Sequence, residues 1–139
     1  TLPDASTPGA LIWSECTTRD LPRAVDFYAE ALGWEDRAYD GLPAAEMDAG
    51  MQGYRVLHHA STGDRGVAGI QAMPDGQGDM PSFWLPYVCS ADADASAARI
   101  AELGGRVLVG PMGVPTVGRI AVASDPQGGM FGLLEPAMG

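Results

Sequence analysis

The chain of 139 residues is long enough to bury one hydrophobic core and too short for two full domains, and with 46% hydrophobic and 19% charged residues it has the composition of a folded protein. Eight basic against 18 acidic residues leave a formal charge of −10, which repels phosphate backbones and anionic lipid alike and argues against nucleic acid or a membrane as partner. Every basic residue is arginine, so a lysine Schiff base is excluded.

Along the chain, LIWSECT (11–17) reads as a strand, and Leu21, Ala24, Phe27, Tyr28, Ala31 and Leu32 then recur at the spacing of one helical face, which predicts a helix whose face packs behind the sheet. Thr18 or Asp20 caps it, Pro22 suits its first turn and Gly33 stops it. Residues 35–50 are acidic and rich in Gly and Ala, with one weak strand expected near Ala44–Met47. YRVLHHA (54–60) and GVAGIQAM (66–73) read as two strands joined by STGDR, and PDGQGDMP (74–81) reads as a linker. SFWLPYVCS (82–90) is strand-like, Asp92 can cap a helix ending at Gly104–Gly105, and RVLVGPM (106–112), GRIAVAS (118–124) and GMFGLLE (129–135) read as strands, the last two joined by DPQGG. No apolar run approaches the ~20 residues that cross a bilayer, and TLPDASTPGA lacks the features of a signal peptide, so we expect a cytoplasmic protein. Cys16 and Cys89 form no C-x-x-C pair, so reduced thiols are expected.

The order is strand, helix, three strands, linker, and the same again. Asp20 and Asp92 take matching positions before LGW (32–34) and LGG (103–105), and GVAGI (66–70) matches GMFGL (129–133), which marks an internal repeat. We therefore expect a single domain over 1–139, with a first module over 9–73, a linker over 74–81 and a second module over 82–136.

IWSECTTRDL (12–21), FYAEALGW (27–34), VAGIQAMP (67–74) and DPQGGMFGLLE (125–135), in this order and spacing, resemble the vicinal oxygen chelate superfamily, which includes glyoxalase I, bleomycin-resistance proteins and extradiol dioxygenases. The resemblance implies an α+β fold of two βαβββ modules forming a curled mixed sheet around a central cleft, usually in a homodimer. It also implies metal ligands on inward positions of the first and last strand of each module. Carried onto this chain, those positions fall on Trp13, on Leu85 (or Trp84 if the alignment slips by one), on Gly69 and on Gly132. Indole, an aliphatic chain and two glycines cannot hold a divalent ion, so no metal and no other cofactor is expected, and a glyoxalase or dioxygenase mechanism is disfavoured.

What stands in those places suits a cleft for a planar molecule: Trp13 and Tyr87 as flat walls, with Gly69 and Gly132 leaving room. With Trp13 inward, period-two alternation puts Glu15 and Thr17 on the same face. Glu15 is then either a solvated or Arg-paired carboxylate, for which Arg119 is one candidate partner, or an acceptor for a ligand hydroxyl or amine. His58 is either a structurally satisfied histidine or a polar contact and general base; its neighbour His59 must face the other side. Tyr54 can stack on or hydrogen-bond a ligand, and Met112 can line the mouth of the cleft, although both residue types also serve as packing. The run DADA (92–95) complements a helix dipole and needs no ion.

These features favour a metal-independent protein that sequesters an antibiotic or aromatic natural product, with Trp13, Glu15, Tyr54, His58, Gly69, Leu85, Tyr87, Met112 and Gly132 as its ligand-binding residues and no catalytic set. One alternative is a metal-independent isomerase, lyase or cyclase using Glu15 or His58 as acid or base. A second is a metalloenzyme with non-standard ligands such as His58 and Glu15.

Overall fold

A computed structural model describes residues 7–39 and 53–137. Its elements are β1 (Leu11–Thr18), α1 (Leu21–Leu32), β2 (Glu35–Ala38), β3 (Arg55–His58), β4 (Gly66–Ala72), β5 (Phe83–Cys89), α2 (Ala93–Glu102), β6 (Arg106–Val114), β7 (Gly118–Ser124) and β8 (Met130–Pro136). Strand, helix and three strands therefore occur twice, an α+β chain with the expected order. The strand expected near Ala44–Met47 lies outside the described residues. The strand that precedes β3 among them is Glu35–Ala38, whose sequence EDRA shows no apolar alternation.

The chain divides into two compact units, one spanning Trp13–Trp84 and the other combining the N-terminal residues to Ile12 with Leu85–Gly139. In the Trp13–Trp84 unit the strand order is β2-β3-β4-β1, with β1 parallel to β4 and the other pairs antiparallel. In the other the order is β5-β8-β7-β6, again with the outer pair β5 and β8 parallel and the rest antiparallel. The registers coincide as well: Glu15 stands opposite Gly69, and Tyr87 opposite Gly132.

Both helices start the same way. Asp20 Oδ1 accepts from the Arg23 amide at 3.2 Å and Asp92 Oδ1 from the Ala95 amide at 3.0 Å, each satisfying a donor the helix cannot pair internally. Helix α1 ends at Gly33, whose φ of 71° is left-handed and places the Gly33 and Trp34 amides on the carbonyls of Ala29 and Tyr28.

One face of the Trp13–Trp84 sheet buries Cys16, Leu57, Ala68 and Ile70, against which Leu21, Ala24, Val25 and Tyr28 of α1 pack. Phe27, expected in this core, is instead 62% exposed, because it stands about 100° around the helix from Tyr28 and points off the packed stripe. In the other unit α2 packs on β6, β7 and β8 and buries Ala93 and Ala97, while Ala121, Ala123 and Leu133 are buried in the strands; the small alanine side chains permit a close helix-to-sheet approach. Bidentate bonds from Arg119 to Asp94, both 2.9 Å, and from the Ala93 amide to Glu135 at 2.8 Å fasten the start of α2 to β7 and β8. Arg119 is thus committed to Asp94. No helix of the described residues is long and apolar enough to cross a membrane.

Candidate functional site

The candidate site of the Trp13–Trp84 unit is the sheet face opposite α1. Alternation along β1 sends Cys16 to the helix side and Trp13, Glu15 and Thr17 to the other. Because Glu15 pairs with Gly69, Thr17 with Gln71 and Val56 with Gly69, all of these share that face. Gln71 Nε2 donates to Glu15 Oε1 at 3.0 Å and to Thr17 Oγ1 at 3.3 Å, so one amide holds the carboxylate and the hydroxyl in a row. Trp13 Nε1 donates to the Tyr54 hydroxyl at 2.9 Å. Glu15 is half-buried, neither immersed in the core nor free in water.

The space beside Gly69 is taken by this chain's own Tyr54: a Cβ on Gly69 would collide with the Tyr54 hydroxyl. In the other unit a Cβ on Gly132 would collide with the Tyr87 ring, which is 6% exposed and lies over that glycine. Each glycine, on the last strand of its unit, thus gives room to a tyrosine from elsewhere in that unit. Leu85 is buried and, by alternation, shares the face of Tyr87. Met112 pairs with Ile120, Ile120 with Leu134 and Val122 with Gly132, so Met112, Ile120, Val122 and Leu134 extend the Tyr87 face, with Met112 45% exposed. That face is apolar where its counterpart carries Glu15, Gln71 and Thr17.

The two histidines separate. His59 Nδ1 accepts from the Ser61 amide at 3.1 Å and lies 2.6 Å from the Ser61 hydroxyl, capping a short 3-10 turn at Ala60–Thr62. His58 pairs with Gly66, beside which the Trp13 ring lies: a Cβ on Gly66 would stand 3.2 Å from Trp13 Cη2. Its Nδ1 is inaccessible to solvent and has no hydrogen-bond partner among the described residues. Cys16, on the back of this sheet, has its thiol pushed above the ordinary value by burial, partly offset by a hydrogen bond with Tyr28 and reinforced by the Glu15 charge. Cys16 and Cys89 are both free thiols.

The structure brings Trp13, Glu15, Tyr54 and Gly69 together, and places Leu85, Tyr87, Met112 and Gly132 on one face of the other unit. Gln71 was not foreseen. Its signal was its position two residues after Gly69 on the same strand, which period-two alternation places beside Glu15 and Thr17. As a metal centre the set does not fit. Of the residues at and opposite the two glycines only Glu15 carries a good donor, and among the described residues no three of His, Cys, Asp and Glu are placed to hold an ion.

A sequence model for the Glyoxalase/Bleomycin resistance protein/Dioxygenase superfamily matches residues 12–133. CFP32 of Mycobacterium tuberculosis, provisionally named a glyoxylase, is 40% identical over 129 residues, covering 93% of this chain and 45% of CFP32. The anthracycline biosynthesis protein DnrV of Streptomyces peucetius is 32% identical over 133 residues, covering 89% of this chain and 46% of DnrV. The chain therefore spans just under half the length of these relatives. Among solved structures, methylmalonyl-CoA epimerase of Streptomyces coelicolor in complex with 2-nitronate-propionyl-CoA aligns with a TM-score of 0.60 at 23% identity, over 95% of this chain and all of that one. Methylmalonyl-CoA epimerase of Mycobacterium tuberculosis aligns with a TM-score of 0.57 at 20% identity, over 95% and 92%.

Proposed function

We propose, from the premise that this chain belongs to the Glyoxalase/Bleomycin resistance protein/Dioxygenase superfamily, that it binds an aromatic natural product without a metal ion, in the manner of a sequestering protein. The observation that carries this reading is the hydrogen-bonded row on the Trp13–Trp84 sheet face: Trp13 to Tyr54, and Gln71 to both Glu15 and Thr17. A flat indole beside a carboxylate and a hydroxyl presents a stacking surface together with acceptors for ligand hydroxyl or amine groups. Binding by area and hydrogen bonds asks for no reacting centre. A relative named for anthracycline biosynthesis supports a polycyclic aromatic as the ligand class.

The test is a thermal-shift and tryptophan-quenching screen of anthracyclines and simpler anthraquinones. A ligand at 100 times its dissociation constant adds about 2.7 kcal/mol of stability. Glu15→Gln is expected to weaken binding about 10-fold or more, the scale of a lost charge-assisted hydrogen bond. No stabilisation across the panel, or equal affinity in Glu15→Gln, refutes the reading.

One observation favours turnover instead. His58 Nδ1, unlike His59 Nδ1, is committed to no hydrogen bond among the described residues, which leaves an imidazole available as acid or base for an isomerase, lyase or cyclase. A bell-shaped pH–rate profile, with turnover lost in His58→Gln while ligand affinity persists, decides for that alternative.

A further inference from the structure

Strands β1 and β4 run parallel and leave the sheet side by side: Thr18 pairs with Ala72, and the Met73 amide donates to the Thr18 carbonyl at 2.8 Å. The residues that follow, Arg19 and Met73 to Gly78, line a cavity of about 210 Å³ that lies wholly within the Trp13–Trp84 unit. None of them belongs to the hydrogen-bonded row of Trp13, Tyr54, Glu15, Thr17 and Gln71.

Arg19 is held from one side only. Its amide donates to Ser82 Oγ at 2.9 Å, and its Nη1, which lies 3.9 Å from Met73 Sδ, donates to the carbonyls of Gly78 and Met80 at 2.9 and 2.6 Å. Two other arginines show how the remaining edge of a guanidinium is satisfied in this chain. Arg55 presents Nε and Nη2 to Asp36 at 3.1 and 2.7 Å, and Arg119 presents the same two nitrogens to Asp94 at 2.9 Å each. That fork matches the two oxygens of a carboxylate. On Arg19 the fork meets no acceptor among the described residues, and Arg19 forms no ion pair with any of them.

The loop offers further donors. The main-chain amides of Asp75, Gly76, Gln77 and Gly78 have no acceptor among the described residues, and Gly76 and Gly78 have φ of 87° and 61°, in the left-handed region. Left-handed residues alternating with ordinary ones gather successive amides around a concavity that takes an anion. Asp75 stands on the same lining and the whole chain carries −10, so a second negative charge on the guest is opposed. One carboxylate is therefore suited to this cavity and a dianion is not, while Met73 and Pro74 supply apolar surface for the body of the molecule.

We propose that this cavity binds a small monocarboxylic acid, its carboxylate clasped by the Nε and Nη2 edge of Arg19 and by the amides of residues 75–78. The proposal stands apart from the aromatic-ligand reading, whose residues it does not use. The test is a titration of the ¹⁵N-labelled whole chain with sodium benzoate, sodium butyrate and inorganic phosphate, followed by NMR. Both acids are expected to shift the Arg19 Nε–H and the amides of residues 75–78 to saturation, with dissociation constants on the order of 1 mM, and phosphate to bind about 10-fold more weakly. Arg19→Lys keeps the charge and loses the fork, and should weaken benzoate about 10-fold. Asp75→Asn should tighten benzoate about three-fold and phosphate by more, a gain that a purely structural loop residue would not give. Far-UV circular dichroism confirms that each variant is folded. The proposal is overturned by shifts at Arg19 and residues 75–78 that fail to saturate up to about 50 mM of either acid, or by shifts confined to residues 13–17. Phosphate binding as tight as benzoate, unchanged benzoate affinity in Arg19→Lys, or no gain in Asp75→Asn overturns it equally.

Discussion

The contact between Tyr54 and Gly69 turns a missing side chain into a steric requirement. Adding one methyl there, as in Gly69→Ala, has to displace the Tyr54 hydroxyl and break its bond from Trp13. The expected cost is about 1–3 kcal/mol in chemical denaturation, the range of overpacked sites, and Gly69→Ala combined with Tyr54→Ala should cost less than the two separate losses added together. Gly132→Ala meets the buried Tyr87 ring, which has less room to yield, and is expected to cost at least as much. Cys16 provides a pH test. Its folded thiol titrates above the reference of 9.0, so the stability it contributes is complete below that pH and is lost as pH rises through the raised value. Denaturation midpoints should therefore fall more steeply above about pH 9 in wild type than in Cys16→Ala. At this scale the face shared by Trp13, Glu15 and Thr17 was legible in the sequence, because strand alternation is local. That Gly69 and Gly132 receive the Tyr54 and Tyr87 side chains was not legible: which ring fills a gap is settled by the tertiary register of neighbouring strands.

Helices α1 and α2 rest on equivalent caps, and removing either tests the repeat at the level of its elements. Asp20→Ala and Asp92→Ala are each expected to cost about 1 kcal/mol, seen as a lowered melting temperature with unchanged fold. The helices were readable because a cap, a 3.6-residue period and a glycine stop all lie within one short stretch. Strand β2 was not, since EDRA is short and polar and acquires strand geometry only by pairing with β3. Phe27 shows the limit of periodicity in another way: several residues of a helix fit a stripe on paper, and only the position of the sheet decides which of them it covers. The segment between the modules is tethered as well. Arg19 Nη1 donates to the carbonyls of Gly78 and Met80 at 2.9 and 2.6 Å, and the Arg19 amide donates to Ser82 Oγ at 2.9 Å. Arg19→Ala should accordingly speed thermolysin cleavage within residues 73–82, read by mass spectrometry, with little change in melting temperature.

For the whole molecule, the acidic excess is a distributed strain that salt relieves. Raising ionic strength from about 0.01 M to 0.15 M shortens the screening length from about 30 Å to 8 Å, so the melting temperature should rise with sodium chloride. The duplication was legible from the order of elements and their caps, and the structure adds that the two copies agree in strand order and register while differing in surface, one polar and one apolar. That asymmetry extends to the chromophores. The chain's three tryptophans, Trp13, Trp34 and Trp84, all belong to the Trp13–Trp84 unit, and the other unit has none. Intrinsic tryptophan emission is thus a one-sided gauge. It follows the melting of one half only, whereas circular dichroism follows both, so any gap between the two denaturation curves measures how far one half can come apart while the other still holds.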